Sequence, residues 1–375
     1  MLAGMKRPGM KRLDCLDGLR GLLALYVLLG HMAPFAVLPG WLQSAVSHGA
    51  AAVDLFFVLS GLVIVQSLDR WRGQARPFLI ARAARIFPVF LPVFALSVMI
   101  QPLSCGFERM PWLAWDSPAH SICVSGWPAH WPAEIAAHLT MTHGLFPDAV
   151  LPDVWISFLG AAWSLSTEWQ FYILALWVRD RDWLIRLLLA MAVAGSVWRL
   201  AGPEAWQFSR GFLPNQAQFF ALGAASVGVV LREPGAARRF ALVLAGAVAI
   251  CATHGTFGKL LPPLAWAACL GAQLGALHGL HGGVLGLLRG FLRLRVCTYL
   301  GAISYCVYLV NEPVHKLLGG PVAWLAGQDG GVFSVVWIPV AIGLPLAVSA
   351  VLHAVLEQPA LRWARAVAAG VSTAR

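Results

Sequence analysis

Residues 13–33 read LDCLDGLRGLLALYVLLGHMA, a strongly apolar run of helix length with Arg20 near its start and His31 near its end. A helix turns about 100° per residue, so eleven residues bring His31 back to within about 20° of the face that carries Arg20. A rise of about 1.5 Å per residue separates the two by roughly 16 Å along the axis. One helix stripe therefore presents a fixed cation near one membrane surface and an imidazole well inside. Such groups are costly in an apolar run and mark functional positions by default.

The 375 residues are 59% hydrophobic and 12% charged, with a mean hydropathy of +0.72. A soluble domain carries about 25% charged residues, so this is the composition of a polytopic membrane protein. Cutting the apolar runs at charges and turn residues gives ten spans, near 18–38, 49–68, 86–104, 157–178, 183–201, 213–231, 240–256, 261–280, 298–318 and 332–356. A cytoplasmic N-terminus then places every Lys and Arg inside except Arg109, Arg199, Arg210, Lys259 and Lys316. The reverse topology breaks the positive-inside rule. The expectation is an all-α polytopic membrane protein, one transmembrane domain over 1–375, with about ten helices and both termini in the cytoplasm. The net charge of +10 sits at inner span ends, which excludes soluble nucleic-acid binding. The first run is too long, and lacks the small-residue site, for a cleavable signal peptide. Cys105 and Cys123 share the longest outer loop, about 105–156, where an oxidising compartment would allow a disulfide. Pairing is not readable from sequence. The seven cysteines offer no metal-type pair, and no metal is expected.

Orienting the spans gives each intramembrane polar residue a depth. His31, Asp54 and Glu168 fall in the outer half of spans 1, 2 and 4, and Asn311 and Glu312 lie toward the outer end of span 9. Arg20, Arg76, Arg82 and Arg85 form a second, cytoplasmic layer, joined by Glu357 and Arg362. Arg82 and Arg85 are three apart, adjacent on a helix face. Guanidinium pairs at that spacing suit phosphate groups. An anion grip inside and an acid–base cluster outside fit a reagent that spans both, and a cytosolic acyl-coenzyme A does so. A neutral His suits the capture of a hydroxyl proton near pH 7. A neighbouring carboxylate would fix its tautomer, with Asp54 the first choice and Glu168 the alternative.

Simpler readings exist for each group. Arg20 is also a snorkelling anchor and His31 a helix–helix hydrogen bonder. Basic residues at the inner end of a helix, such as Arg82 and Arg85, need no ligand. Ser60 and Gly61 suit close helix packing, and Ser60 lies below the His31 level, which argues against a Ser–His pair. Tyr305 and Tyr308 line a cavity or pack, and the loop tryptophans read mainly as interfacial anchors.

Several ordered segments resemble the membrane-bound acyltransferase family 3, which acylates sugars and related hydroxyl compounds at bacterial membranes. LDGLRGLLALYVLLGH is similar to the family's opening Arg-x10-His segment (Arg20, His31), and AAVDLFFVLSGLVI to its Asp-Leu-Phe-Phe-x-x-Ser-Gly segment (Asp54, Ser60, Gly61). RAARIFP is similar to Arg-x-x-Arg-Ile-x-Pro (Arg82, Arg85, Pro88), WSLSTEWQFY to Trp-Ser-Leu-x-x-Glu-x-x-Phe-Tyr (Trp163, Glu168, Tyr172), and LEQPALR to the closing Glu-x-Pro motif. The likeness covers nearly the whole chain. One departure is YLVNEP, where relatives often carry His at the position of Asn311. Asn hydrogen-bonds but carries no proton at neutral pH, so the position is expected to orient substrate.

The resemblance implies His31 as general base or transient acyl carrier, supported by Asp54 or Glu168. Arg20, Arg82 and Arg85 would hold acyl-coenzyme A, with acetyl the first expectation, and Asn311, Tyr308 and Trp163 would bind the acceptor. That acceptor would be a saccharide, a glycolipid or a glycosylated small molecule, at a bacterial inner membrane beside lipid. The chain ends soon after the tenth span, so no fused extracellular domain is expected, and transfer is direct or uses a separate partner chain. The rival function is a proton-coupled transporter using the same His/Asp/Glu cluster. The absence of an evident inverted repeat favours the enzyme.

Overall fold

Glycines decide how the helices approach. The computed structural model describes residues 14–71, 74–253, 255, 257–277 and 282–373. Lys6, Arg7, Lys11, Arg12, Arg72 and Arg375, used above for topology, lie outside them, as do residues 254, 256 and 278–280 of two span ends. The ten predicted spans each overlap a helix: α1 (Asp14–Met32), α2 (Gly49–Arg70), α3 (Ala75–Met99), α4 (Trp163–Val178), α5 (Arg181–Ala201), α6 (Ala217–Val230), α7 (Ala236–Ala252), α8 (Leu261–Leu277), α9 (Arg295–Ala326) and α10 (Gly330–Leu352). A π-turn, His353–Glu357, leads into α11 (Gln358–Thr373). In the opening motif, a methyl on Gly18 or Gly21 would run into the backbone at Leu292 or Cys297, and one on Gly301 into Asp17. α1 and α9 therefore touch backbone to backbone, the small-residue packing that holds helices together in lipid. Gly61 and Gly223 do the same for α2 and α6.

Among the described residues, five helical stretches are long and apolar enough on their own to cross a bilayer: Cys15–Phe35, Gly40–Asp69, Ala75–Met99, Arg181–Ala201 and Gly330–Val367. α6 shows why others fall short. Its 14 residues rise roughly 21 Å, less than the ~30 Å hydrocarbon core. α9 is long enough but carries Asn311, His315 and Lys316, which are buried against other helices. The architecture is an all-α, multi-pass bundle.

The 105–156 segment, expected as a loop, is an ordered cap over the end of the bundle where α1 finishes. It contains a short helix, Trp131–Leu139. Cys105 and Cys123 form a disulfide with Cα atoms 6.3 Å apart. Lys316 reaches from α9 into the cap, donating to the carbonyls of Gln101 (3.1 Å) and Val124 (2.6 Å). Trp112 is a fastener more than an interfacial anchor, since its indole N–H donates to the Phe35 carbonyl at 3.0 Å.

His138 and His143 stack inside the cap with ring centroids 4.0 Å apart, and both are fully buried. Burial holds His143 down to about 4, and burial plus its neighbour His143 holds His138 well below the usual imidazole range. A histidine whose folded pKa is depressed binds fewer protons folded than unfolded. Cap stability is therefore full above about pH 6.5 and falls as pH drops toward 4. Amide exchange of residues 131–139, corrected for intrinsic rate, should show protection at pH 7 that is lost near pH 4. Equal protection at both would contradict this.

Candidate active site at the seam of two cavities

His31 lies in the last turn of α1 and meets the middle of α9. The Asn311 amide is oriented by its own helix, because Nδ2 donates to the Val307 (2.9 Å) and Tyr308 (2.7 Å) carbonyls. Its Oδ1 is left to accept from His31 Nδ1 at 2.5 Å. The Nδ1–H tautomer follows, so Nε2 keeps its lone pair. Nε2 faces Glu312 Oε1 at 3.6 Å. The other Glu312 oxygen accepts from the Ala161 backbone N–H at 2.9 Å. The arrangement is an oriented base beside a fixed carboxylate that can stabilise its imidazolium.

Two cavities are lined in turn by the α9 segment that carries Glu312. The first, about 330 Å³, is lined by Arg20, Arg82, Arg85, Ser60, Glu168 and Tyr308 among others. The second, about 450 Å³, lies under the cap and is lined by Glu312, Lys316, Glu134 and Gly160 among others. Tyr308 and Glu312 stand one helical turn apart on α9, as do Ser164 and Gly160 on the strand of chain entering α4. The first member of each pair lines the first cavity and the second member lines the second. Glu312 therefore stands at the seam, with His31 held against it from outside either lining.

The three arginines expected to act together do line one cavity. Arg85 forms an ion pair with Glu357, which is fully buried, and its guanidinium lies 5.2 Å from the Tyr305 ring centre. Glu357 is turned inward by the π-turn and also takes His353 Nδ1 at 2.7 Å. Arg82 lies over the rings of Phe78 and Tyr172, each at 5.9 Å, and its Nε has no hydrogen-bond partner among the described residues. Tyr305 and Tyr308 line the cavity wall, and the Tyr308 hydroxyl accepts from Ser164 Oγ at 2.9 Å.

Other expectations are corrected. Asp54 does not partner His31: it points away from the first cavity, where Lys259 Nζ approaches it at 2.8 Å and Arg210 at 3.6 Å. Both cations come from segments outside the motif, and the trio is a charge cluster of its own around the buried Asp54. Glu168 does not reach His31 either, and accepts from Ser60 Oγ at 2.5 Å within the first cavity. Asn311 is fully buried and holds His31, so orienting substrate directly is not open to it. Trp163 packs between Phe57 (5.6 Å, edge-on) and the Arg210 guanidinium (4.9 Å) and lines neither cavity. Glu312, placed in the outer layer by its depth, was given no role there, and it is the carboxylate that faces His31. The rule that flagged Asp54 and Glu168, a carboxylate inside a predicted span, applied to it equally.

A family described as "Acyltransferase domain" matches residues 13–354. The acyltransferase MdmB of Streptomyces mycarofaciens is 26% identical over 401 aligned positions, covering 95% of this chain and 93% of that protein. The peptidoglycan O-acetyltransferase OatA of Listeria monocytogenes is 28% identical over 51% of this chain and 29% of its own length. Protein 2 in the picA locus of Rhizobium radiobacter is 33% identical over 27% of this chain. No solved structure matches significantly. The family match spans nearly the whole bundle, including α1 with His31 and α9 with Asn311 and Glu312, and the chain belongs to the acyltransferase 3 family of membrane acyltransferases.

Proposed function

We propose that the protein transfers a short acyl group, acetyl in the first instance, from cytosolic acyl-coenzyme A to a hydroxyl of a saccharide-containing acceptor. The reading rests on one observation above all: an imidazole oriented by Asn311 is held 3.6 Å from Glu312, which lines the second cavity one helical turn from Tyr308 in the first. The donor occupies the first cavity, its phosphates at Arg20, Arg82 and Arg85 and its thioester beside Tyr308. The acceptor occupies the second. The ten spans run with both termini in the cytoplasm of a bacterial inner membrane, so the arginine end faces the donor pool.

The acceptor hydroxyl attacks the thioester carbonyl while His31 Nε2 takes its proton. Glu312 stabilises the resulting imidazolium. The Tyr308 hydroxyl, which accepts from Ser164 and keeps its own hydrogen, donates to the developing oxyanion. Collapse breaks the carbon–sulfur bond, the imidazolium returns the proton to the leaving thiolate, and an ester and free coenzyme A result.

Membranes containing the protein, incubated with acetyl-labelled acetyl-coenzyme A, should pass label to a hydroxylamine-labile ester in a saccharide or lipid fraction. Membranes lacking the protein should not. Absence of protein-dependent label would favour the proton-coupled transporter instead.

A further inference from the structure

The second cavity contains a carboxylate that the acyl-transfer chemistry does not use. Glu134, on the short cap helix Trp131–Leu139, lines the cavity and is only 2% exposed, and its Oε2 has no hydrogen-bond partner among the described residues. A buried carboxylate without a counter-charge is destabilising by several kcal/mol, which points to a partner brought by a ligand. Lys316, in the same lining, hydrogen-bonds to the Gln101 and Val124 carbonyls rather than to Glu134, and its single ammonium leaves the lining with an excess of carboxylates. Glu312 and Asp153 add two more carboxylates to the lining. Trp127 and Phe158, with ring centres 6.0 Å apart, supply aromatic faces beside them. Carboxylates with aromatic faces in one concavity favour an organic cation, and about 450 Å³ lies in the range of small-molecule sites.

We propose that the acceptor is a hydroxyl compound that also bears a protonated amine, such as an amino sugar, with Glu134 holding the ammonium while the hydroxyl is presented to His31 and Glu312. The word acceptor rests on the acyl-transfer reading; the ammonium site rests on the cavity.

The test is a calorimetric titration of the full-length protein in nanodiscs with a matched pair, methyl glucosaminide and methyl glucoside, at pH 6.5. The aminated glycoside should bind about tenfold tighter or more. That preference should vanish in E134Q, which keeps the shape and removes the charge. It should also vanish in the wild type above the amine's own pKa, a measurement that needs no variant. Equal affinity for the pair at pH 6.5, including no binding of either, overturns the proposal. So does a preference that persists in E134Q or in the unprotonated amine. An intact amine preference in a protein that transfers no label from acetyl-coenzyme A would count against the acyl-transfer reading and leave the ammonium site standing.

Discussion

Replacing His31 with alanine is expected to lower acyl transfer by about 10²–10⁴-fold, the span associated with loss of a positioned general base, in a protein that remains folded. The side chain is partly exposed at 26%, and its polar contacts lie at one end of α1, so little packing is lost. Asn311→Leu is a finer probe of the same geometry. It removes the acceptor for Nδ1–H, so the imidazole is free to take the wrong tautomer, and turnover should fall by roughly 10–100-fold, within the range for a lost orienting contact. Label transfer, with folding checked by the thermal midpoint, decides both. Near-wild-type turnover in His31→Ala would exclude it as the base.

The second large effect concerns Arg85 and Glu357. Removing one partner of a buried ion pair costs roughly 3–5 kcal/mol, because the other charge is left stranded. Glu357→Ala should therefore lower the thermal midpoint clearly and weaken use of acyl-coenzyme A, seen as a raised KM. The double variant Arg85→Met with Glu357→Met removes both charges and should recover most of the stability. It should not recover the donor KM, since the phosphate contact is gone. A double variant with normal KM would show that Arg85 is only a structural partner of Glu357.

The sequence pattern carried the helices and their depths much further than their azimuths. Depth along the spans grouped Arg20, Arg82 and Arg85 in the layer whose shared cavity they line, and the packing role of Gly61 was readable within its own segment. The His31–Asn311 bond spans 280 residues of sequence, and no local periodicity encodes it. Asp54 shows the limit most plainly. Its depth matched His31, but its neighbour Val53 faces the cavity while Asp54 turns to Lys259 and Arg210. Lys259 sits in a turn ahead of α8, where hydropathy carries no orientation. Glu357 was placed in the cytoplasmic layer by depth, but its pairing with Arg85 was hidden by the π-turn, which shifts the helix off its 3.6-residue register and carries the side chain inward.

The central claim is a donor path with a direction, loaded at the arginine end and discharged at His31 beneath the cap. Inverted and right-side-out sealed vesicles, each given acetyl-labelled acetyl-coenzyme A from outside only, test it most directly, because the charged donor does not cross a bilayer. Label incorporation is expected in inverted vesicles, which present the Arg20–Arg82–Arg85 end, and none in right-side-out ones. Incorporation in right-side-out vesicles, with the donor reaching only the cap side, would contradict it.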